Sequence, residues 1–407
     1  MTSATTQAKR LVRRALDKAV HPYLVDLADR IDRVGQPAPV GDTGAGTSDE
    51  SNAPSVVFHH TLHELRTMEL ERVRKGARTA VSVGASGRWY FDWFERHYGE
   101  LDSHVGVEAF EPKPEDLPDY VTWVESTADR FEGVGDNTVD LVFAGQTTEH
   151  LWAQELADFL LESARVLHPG GQLVADSPNR LVTEHLHWSH GGHTVELSAA
   201  EFTELLRLAG FEPTRVSGDW LTRYDGRVWE LEEGLDQPAA LTRRIAGSSA
   251  DPDDCFIWWI DAERTSRDPD EAALRKRVAD VFDSHWNTRI SRGMWPGPGS
   301  PGPHLGGGHT DWVSSLPIML HSGHWVLTVR SEGSPSQDMR KVVARLLAPG
   351  NVVLEEKSPA SVDDASASFE FELDQLWMAI AVQLRAVDVE HPVQLEMPVD
   401  LRCDGVE

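Results

Sequence analysis

Two side chains near the middle of the chain have the types and the spacing for proton chemistry on a hydroxyl. His150 lies in the segment AGQTTEHL, directly after the apolar run 139–144, and Asp176 closes the next apolar run in VADSPNR. If both runs are neighbouring strands, the two residues project from the same end of a sheet. An imidazole titrating at about 6.5 can take the proton of a hydroxyl as its oxygen becomes a nucleophile, and a carboxylate can hold the tautomer or serve as base. The following segment, EHLHWSHGGHTVEL, adds His185, His187, His190 and His193. These have no companion cysteine or clear carboxylate pair, and their spacing matches no zinc pattern, so no metal is expected. His193 or His190 reads as a substrate-loop histidine, with a solvated loop as the plain alternative.

Upstream stands the turn that would bring a ligand to these groups. In TAVSVGASGRWYFDWF, residues 79–94, an apolar run ends in Gly84 and Gly87 and passes directly into an amphipathic helix pattern. Gly84 can take positive φ, Gly87 lets backbone approach a ligand, and the free N–H groups of the helix attract polar or negative ligand groups. The run HVGVEAF ends a second strand in Glu108, 24 residues after Gly84. That is close to the separation of roughly 20 at which an acid in doubly wound folds holds a ribose diol, a task for an acceptor-only carboxylate.

With STADRF, which holds Asp129, the strand VDLVFAG, and SARVLHPGGQLVADSPNR followed by HTVELSAAEFTELLRLAGFE, the chain resembles the class I S-adenosylmethionine-dependent methyltransferases of the type 11-like group over about residues 61–264. The resemblance implies an α/β fold, a Rossmann-like doubly wound seven-stranded sheet, with S-adenosyl-L-methionine as cofactor. The implied cofactor set is Val83, Gly84, Ala85, Gly87, Glu108, Asp129 beside the adenine amine, and Gln146. The first motif departs from the family pattern: Ser82 replaces the usual acid two residues before the first glycine, and Ser86 and Arg88 occupy the later glycine positions. The segments around His150 and Asp176 are similar to those of sugar O-methyltransferases. This implies His150 and Asp176 as a base pair and a sugar or glycoconjugate hydroxyl as acceptor; His193 of the histidine loop is a third catalytic candidate. Two alternatives stand beside it: transfer to a phenol or amine of a small metabolite, and a catalytically degenerate protein that binds a glycan.

A chain of 407 residues exceeds what one core usually serves. Its formal net charge of −28 argues against a grip on nucleic acid or on an anionic membrane surface, both of which need a basic face, and suits a neutral small-molecule or glycan substrate. Two cysteines, Cys255 and Cys403, fit a reducing compartment. No apolar run approaches the ~18 residues of a membrane span, and a cytoplasmic location is expected.

The pattern divides the chain into a helical arm (1–34), a flexible linker (35–55), the methyltransferase-like domain (56–268), a charged helix with a Gly/Pro-rich linker (269–309) and a β-sandwich-like domain (310–407). An insertion at 218–254 carries Trp220, Tyr224, Trp229, Arg243 and Arg244 and reads as a lid, a substrate wall or a surface excursion. Period-two runs predict about seven strands after Trp312, with a short helix near 336–347. Trp312, Trp325 and Trp377 could stack on sugar rings or fill core and interface. Few contacts are expected across the boundary near Arg292.

Overall fold

The computed structural model describes residues 54–247, 251–306, 312–331, 334 and 336–404. The expected helical arm at 1–34 and nearly all of the 35–55 linker lie outside the described residues.

The first half builds one sheet. Strands β1 (Thr79–Val83), β2 (Ser103–Glu108), β3 (Val121–Glu125), β4 (Val139–Gly145), β5 (Leu167–Pro178), β6 (Phe211–Leu221) and β7 (Cys255–Arg264) pair in the order β3-β2-β1-β4-β5-β7-β6. The first five run parallel, and β7 is antiparallel to both β5 and β6. This is the Rossmann-like sheet implied by the resemblance. β4 and β7 are buried almost throughout, because helices cover both faces of such a sheet, so they read as apolar runs rather than alternations. The strand order reverses at β1, which opens a crevice beyond the carboxyl ends of β1 and β4.

Around the sheet lie α1 (Pro54–Arg72), α2 (Gly87–Tyr98), α3 (Ala153–Val166), the single turn α4 (Arg180–Thr183), α5 (Ala199–Leu208), α6 (Pro238–Ala246) and α7 (Glu271–Ile290). Helix α5 starts on the capping box written in its sequence. Ser198 Oγ accepts from the Glu201 amide, and the Glu201 carboxylate accepts from the Ser198 amide at 2.8 Å. No helix among the described residues is long and apolar enough to cross a membrane.

The second half adds β8 (His304–Leu305), β9 (Val313–Ser314), β10 (Ile318–Leu320), β11 (Gly323–Ser331), α8 (Ser336–Met339), β12 (Val342–Ala348), β13 (Val352–Lys357), β14 (Ser361–Val362), β15 (Ser366–Leu373), β16 (Trp377–Ala386) and β17 (Val393–Asp404). One sheet runs β8-β17-β11-β15-β14; the other runs β9-β16-β12-β13, with β10 also on β16. The helix expected near 336–347 shrinks to α8. Val342–Ala348 alternates buried and half-buried residues and pairs with β16, so period two wins there.

Many contacts cross the expected boundary, because α7 serves both halves. Trp286 Nε1 donates to the Leu401 carbonyl at 2.8 Å, and Asn287 bonds Asp400 and the Leu401 amide. Trp152, Trp286 and Trp325 pack together at this seam, and a single apolar core runs from the first sheet through α7 into the sandwich. The Gly/Pro-rich stretch lies against β17, where a Cβ on Gly302 would sit 1.9 Å from the Leu395 oxygen.

Candidate active site

A cavity of about 410 Å³ opens at the crevice where the strand order reverses. Its floor is the turn after β1. Gly84 has φ +74°, and a Cβ there would sit 3.0 Å from Thr147 Oγ1, so the turn can be this tight only with glycine. Val83, Gly84 and Ser86 line the cavity; Ala85 and Gly87 shape the turn without lining it, Ala85 being fully buried and Gly87 having φ +71°. The N-cap residue of α2, Ser86, makes no side-chain cap, which leaves amides of the first turn for a ligand. Ser82, at the position of the usual acid, is buried and pairs with His104 Nε2 at 2.7 Å.

Glu108 lines the cavity at the end of β2. Its Oε1 accepts from the Phe110 amide at 2.7 Å and the Glu111 amide at 3.1 Å, which orients the carboxylate and leaves Oε2 for a ligand. Ser126, Thr127 and Ala128 line the next wall. Asp129 does not: its carboxylate accepts from the hydroxyl of Thr127, itself a lining residue. At this wall Ser126, Thr127 and Ala128, rather than the Asp129 side chain, face the cavity. Gln146 lines the cavity in a left-handed conformation, φ +54°.

His150 reaches the cavity and Asp176 does not meet it. His150 Nδ1 bonds the Gly192 carbonyl at 2.7 Å; burial lowers the imidazole below its ordinary range, opposed by that carbonyl. Asp176 is fully buried and gripped in a bidentate pair by Arg66 of α1, at 2.8 and 3.0 Å, and by Gln146 Nε2 at 2.6 Å. The expected His150–Asp176 base pair is thus replaced by an Arg66–Asp176–Gln146 clamp. Register explains why: Asp176 is paired with Gly145, and its side chain runs under the sheet end toward α1 while His150 stands on a turn beyond it.

His193 is buried against His150, ring centroids 4.8 Å apart, with Nδ1 3.1 Å from Glu196 Oε1. Burial pushes its imidazole down to about 3. Burial also opposes the charge of Glu196, but Arg289 at 2.8 Å and Arg292 at 3.2 Å hold its carboxyl below the usual range. His190 is exposed, its Nδ1 accepting from the Gly192 amide; His185, His187 and His190 do not line the cavity. Glu149, adjacent to His150, is buried, and burial lifts its carboxyl to about 8, with the Ser177 hydroxyl and Arg66 offsetting only part.

The roof comes from the second half of the chain. Met319, Leu376 and Met378 line the cavity opposite the glycine turn. The Ala379 amide of β16 donates to the Gly191 carbonyl at 2.9 Å, which fastens the sandwich to the histidine loop. Gly192 fits between: a Cβ there would lie 2.7 Å from Met378 Cε and 3.4 Å from the His150 ring. None of the described residues of the 218–254 insertion lines the cavity. Trp220 and Leu231 pack with Phe58, Leu62 and Leu65 of α1, and Arg244 is tied to the carbonyls of Glu230, Leu231 and Glu233. The insertion thereby braces the helix that carries Arg66. Trp325 is a core residue, and Trp312 lies under the guanidinium groups of Arg345 and Arg385 at 3.9 and 4.3 Å. Neither presents a bare ring for sugar stacking; Trp377 is half-buried at the start of β16.

Arg66, Glu149 and the methionine roof are the site residues that sequence reasoning missed. Only Glu149 left a signal, as an acid directly before His150.

Residues 81–175 match the family model described as a methyltransferase domain. A Mycolicibacterium smegmatis protein named as a probable S-adenosylmethionine-dependent methyltransferase is 46% identical over 84 residues, covering 19% of this chain and 30% of the relative. A similarly named Mycobacterium tuberculosis H37Rv protein is 34% identical over 133 residues, covering 29% and 43%. The chain spans less than half the length of these curated relatives. Among solved structures, a Haloferax volcanii complex between the Trm112 methyltransferase activator and a methyltransferase aligns with TM-score 0.38 and 15% identity, covering 51% of this chain and 91% of that one. Burkholderia thailandensis 1,6-didemethyltoxoflavin-N1-methyltransferase, with its substrate and S-adenosylhomocysteine bound, aligns with TM-score 0.33 and 16% identity over 56% of this chain and 95% of that one.

Proposed function

We propose that the protein is an S-adenosyl-L-methionine-dependent O-methyltransferase acting on a hydroxyl held between His150 and the sandwich roof. The observation that carries the reading is the convergence of the Gly84 turn, Glu108 and His150 on one cavity, within a domain that matches the methyltransferase model. The residues fit the cofactor. The Gly84 turn leaves space that a Cβ would fill, Glu108 offers an oriented carboxylate to a ribose diol, and Ser126–Ala128 form a wall for a base. When bound, the cofactor supplies an electrophilic methyl group.

The chain's own residues do the rest. His150 donates from Nδ1 to the Gly192 carbonyl, which leaves the Nε2 lone pair free to take a hydroxyl proton. Arg66 and Asp176 hold the end of β5 and the Gln146 turn in place. Met319, Leu376 and Met378 give the acceptor an apolar wall.

The acceptor in this reading is a sugar or glycoconjugate hydroxyl, on the similarity of the His150 and Asp176 segments to sugar O-methyltransferases. A phenol of a small metabolite is the second reading, favoured by the methionine and leucine roof. Calorimetric titration with S-adenosylhomocysteine, then mass analysis of products from glycan and phenol panels, tests both. Absence of binding overturns the enzyme reading. Glu108→Ala is expected to weaken S-adenosylhomocysteine by about 1.5 to 3 kcal/mol, the range for a hydrogen bond to a charged group, while the variant stays folded.

A further inference from the structure

Glu149 and His150, from the turn after β4, and His193, from the loop after β5, each offer a ligand atom, and these atoms lie within 4.8 Å of one another. The donor set is two imidazoles and one carboxylate, brought together from segments more than forty residues apart. Each ring already has a contact on Nδ1, which leaves Nε2 for an ion. His150 Nδ1 is bound to the Gly192 carbonyl at 2.7 Å, and His193 Nδ1 faces Glu196 Oε1 at 3.1 Å. That is the second layer found around metal-bound histidines, where a carbonyl or carboxylate takes Nδ1–H and aims Nε2 at the ion. Glu196 is itself locked by Arg289 and Arg292. The third group is the independent observation. Glu149 is 1% exposed, and neither carboxylate oxygen has a hydrogen-bond partner of proper geometry. A buried carboxylate with no well-formed hydrogen bond is costly and calls for a ligand of its own.

We propose that Glu149, His150 and His193 hold a divalent transition-metal ion at the acceptor end of the cavity, through a Glu149 oxygen and the Nε2 atoms of both rings. Two nitrogen ligands suit zinc, iron(II), cobalt or manganese, whereas magnesium and calcium take oxygen sets. Three protein ligands leave positions open for water or an acceptor oxygen. The inference rests on the methyl-transfer reading and refines it. With an ion on Nε2 the imidazole no longer serves as base; the ion binds the acceptor hydroxyl and lowers its pKa. The O–H bond breaks, its electron pair stays on the metal-bound oxygen, and the proton passes to solvent.

The test uses the full chain after treatment with a chelator. Titration with Co²⁺ is expected to load one equivalent, with visible absorption that Zn²⁺ displaces, and Zn²⁺ should raise the unfolding temperature. Glu149→Gln and His193→Gln should each weaken Co²⁺ binding by about 100-fold or more, beyond the loss typical of a changed outer partner, while S-adenosylhomocysteine affinity holds. The proposal is overturned if the wild type takes up no stoichiometric Co²⁺, or if either folded variant binds it as tightly. Full turnover by chelated protein would leave the bare imidazole as base and remove the ion. Metal binding without any binding of S-adenosylhomocysteine would sink the methyl-transfer reading instead.

Discussion

His150 and Asp176 separate into different jobs once their partners are known. His150 faces the cavity with one ring nitrogen committed to a carbonyl, so His150→Ala should lower turnover by about 10² to 10⁴, the usual worth of assisted deprotonation, whether the ring takes the proton or holds the ion that acidifies the hydroxyl, with little change in S-adenosylhomocysteine affinity. Asp176 is the buried half of an ion pair with Arg66. Removing its charge strands the guanidinium, and Asp176→Asn should cost about 3 to 5 kcal/mol of stability in denaturant titrations. A folded variant of wild-type stability with lowered turnover would return Asp176 to the chemistry. His104 makes a pH prediction. Burial lowers its imidazole to about 3, so below its ordinary value of 6.5 the unfolded chain holds a proton that the folded one refuses. Stability from this group is present above about pH 6.5 and falls by about 1.4 kcal/mol per unit as pH drops toward 3. In His104→Gln, which can still meet the Ser82 hydroxyl, that slope should flatten; an unchanged acid limb of the stability curve would refute the assignment.

At the scale of elements, the joint between the histidine loop and β16 sets the height of the roof. A Cβ on Gly191 would fall 2.5 Å from Ala379 Cβ and 2.6 Å from Ala379 Cα, so backbone itself blocks a side chain there. Gly191→Ala should therefore destabilise by about 1 to 3 kcal/mol, as overpacking does, and should disturb ligand binding because Met378 is next in sequence. Thermal unfolding with and without S-adenosylhomocysteine reads both effects. A variant with wild-type stability would mean that β16 moves away from the loop at no cost. Helix α7 behaves differently from a spacer: its Trp286 and Asn287 bind β17 while Arg289 and its neighbour Arg292 hold Glu196 under the histidines. One helix thus connects the sandwich to the groups around His193.

For the whole molecule, the cavity is shared property. The first sheet supplies the floor and the polar groups, and the sandwich supplies the roof. A chain ending at Arg292 would expose the apolar core that passes from α7 into the sandwich and would also lose Met319, Leu376 and Met378. Such a truncation is expected to aggregate on size exclusion and to lose S-adenosylhomocysteine affinity. A soluble monomer with wild-type affinity would show that the sandwich is dispensable to the fold and to the cofactor.

What the sequence determined by itself was local and periodic. The glycine turn after β1, Glu108 at the end of β2, the capping box of α5 and the strands of the first sheet were legible because each depends on residues within a few positions of one another, or on apolar runs that only a doubly covered strand requires. The strand at Val342–Ala348 was misread as helix because its alternation is partly masked by half-buried positions. The tertiary structure alone decided who partners whom across the chain. Arg66 lies 110 residues from Asp176, and no periodicity links a helix before the sheet to the end of its fifth strand. Glu149 meets the histidine loop because the Thr194 amide and hydroxyl both bond its carbonyl, a contact between two turns that share only the sheet's edge. The roof was equally silent: alternation announces that Trp377–Ala386 is a strand, but docking depends on the shape left by Gly191 and Gly192, which exists only after both halves have folded.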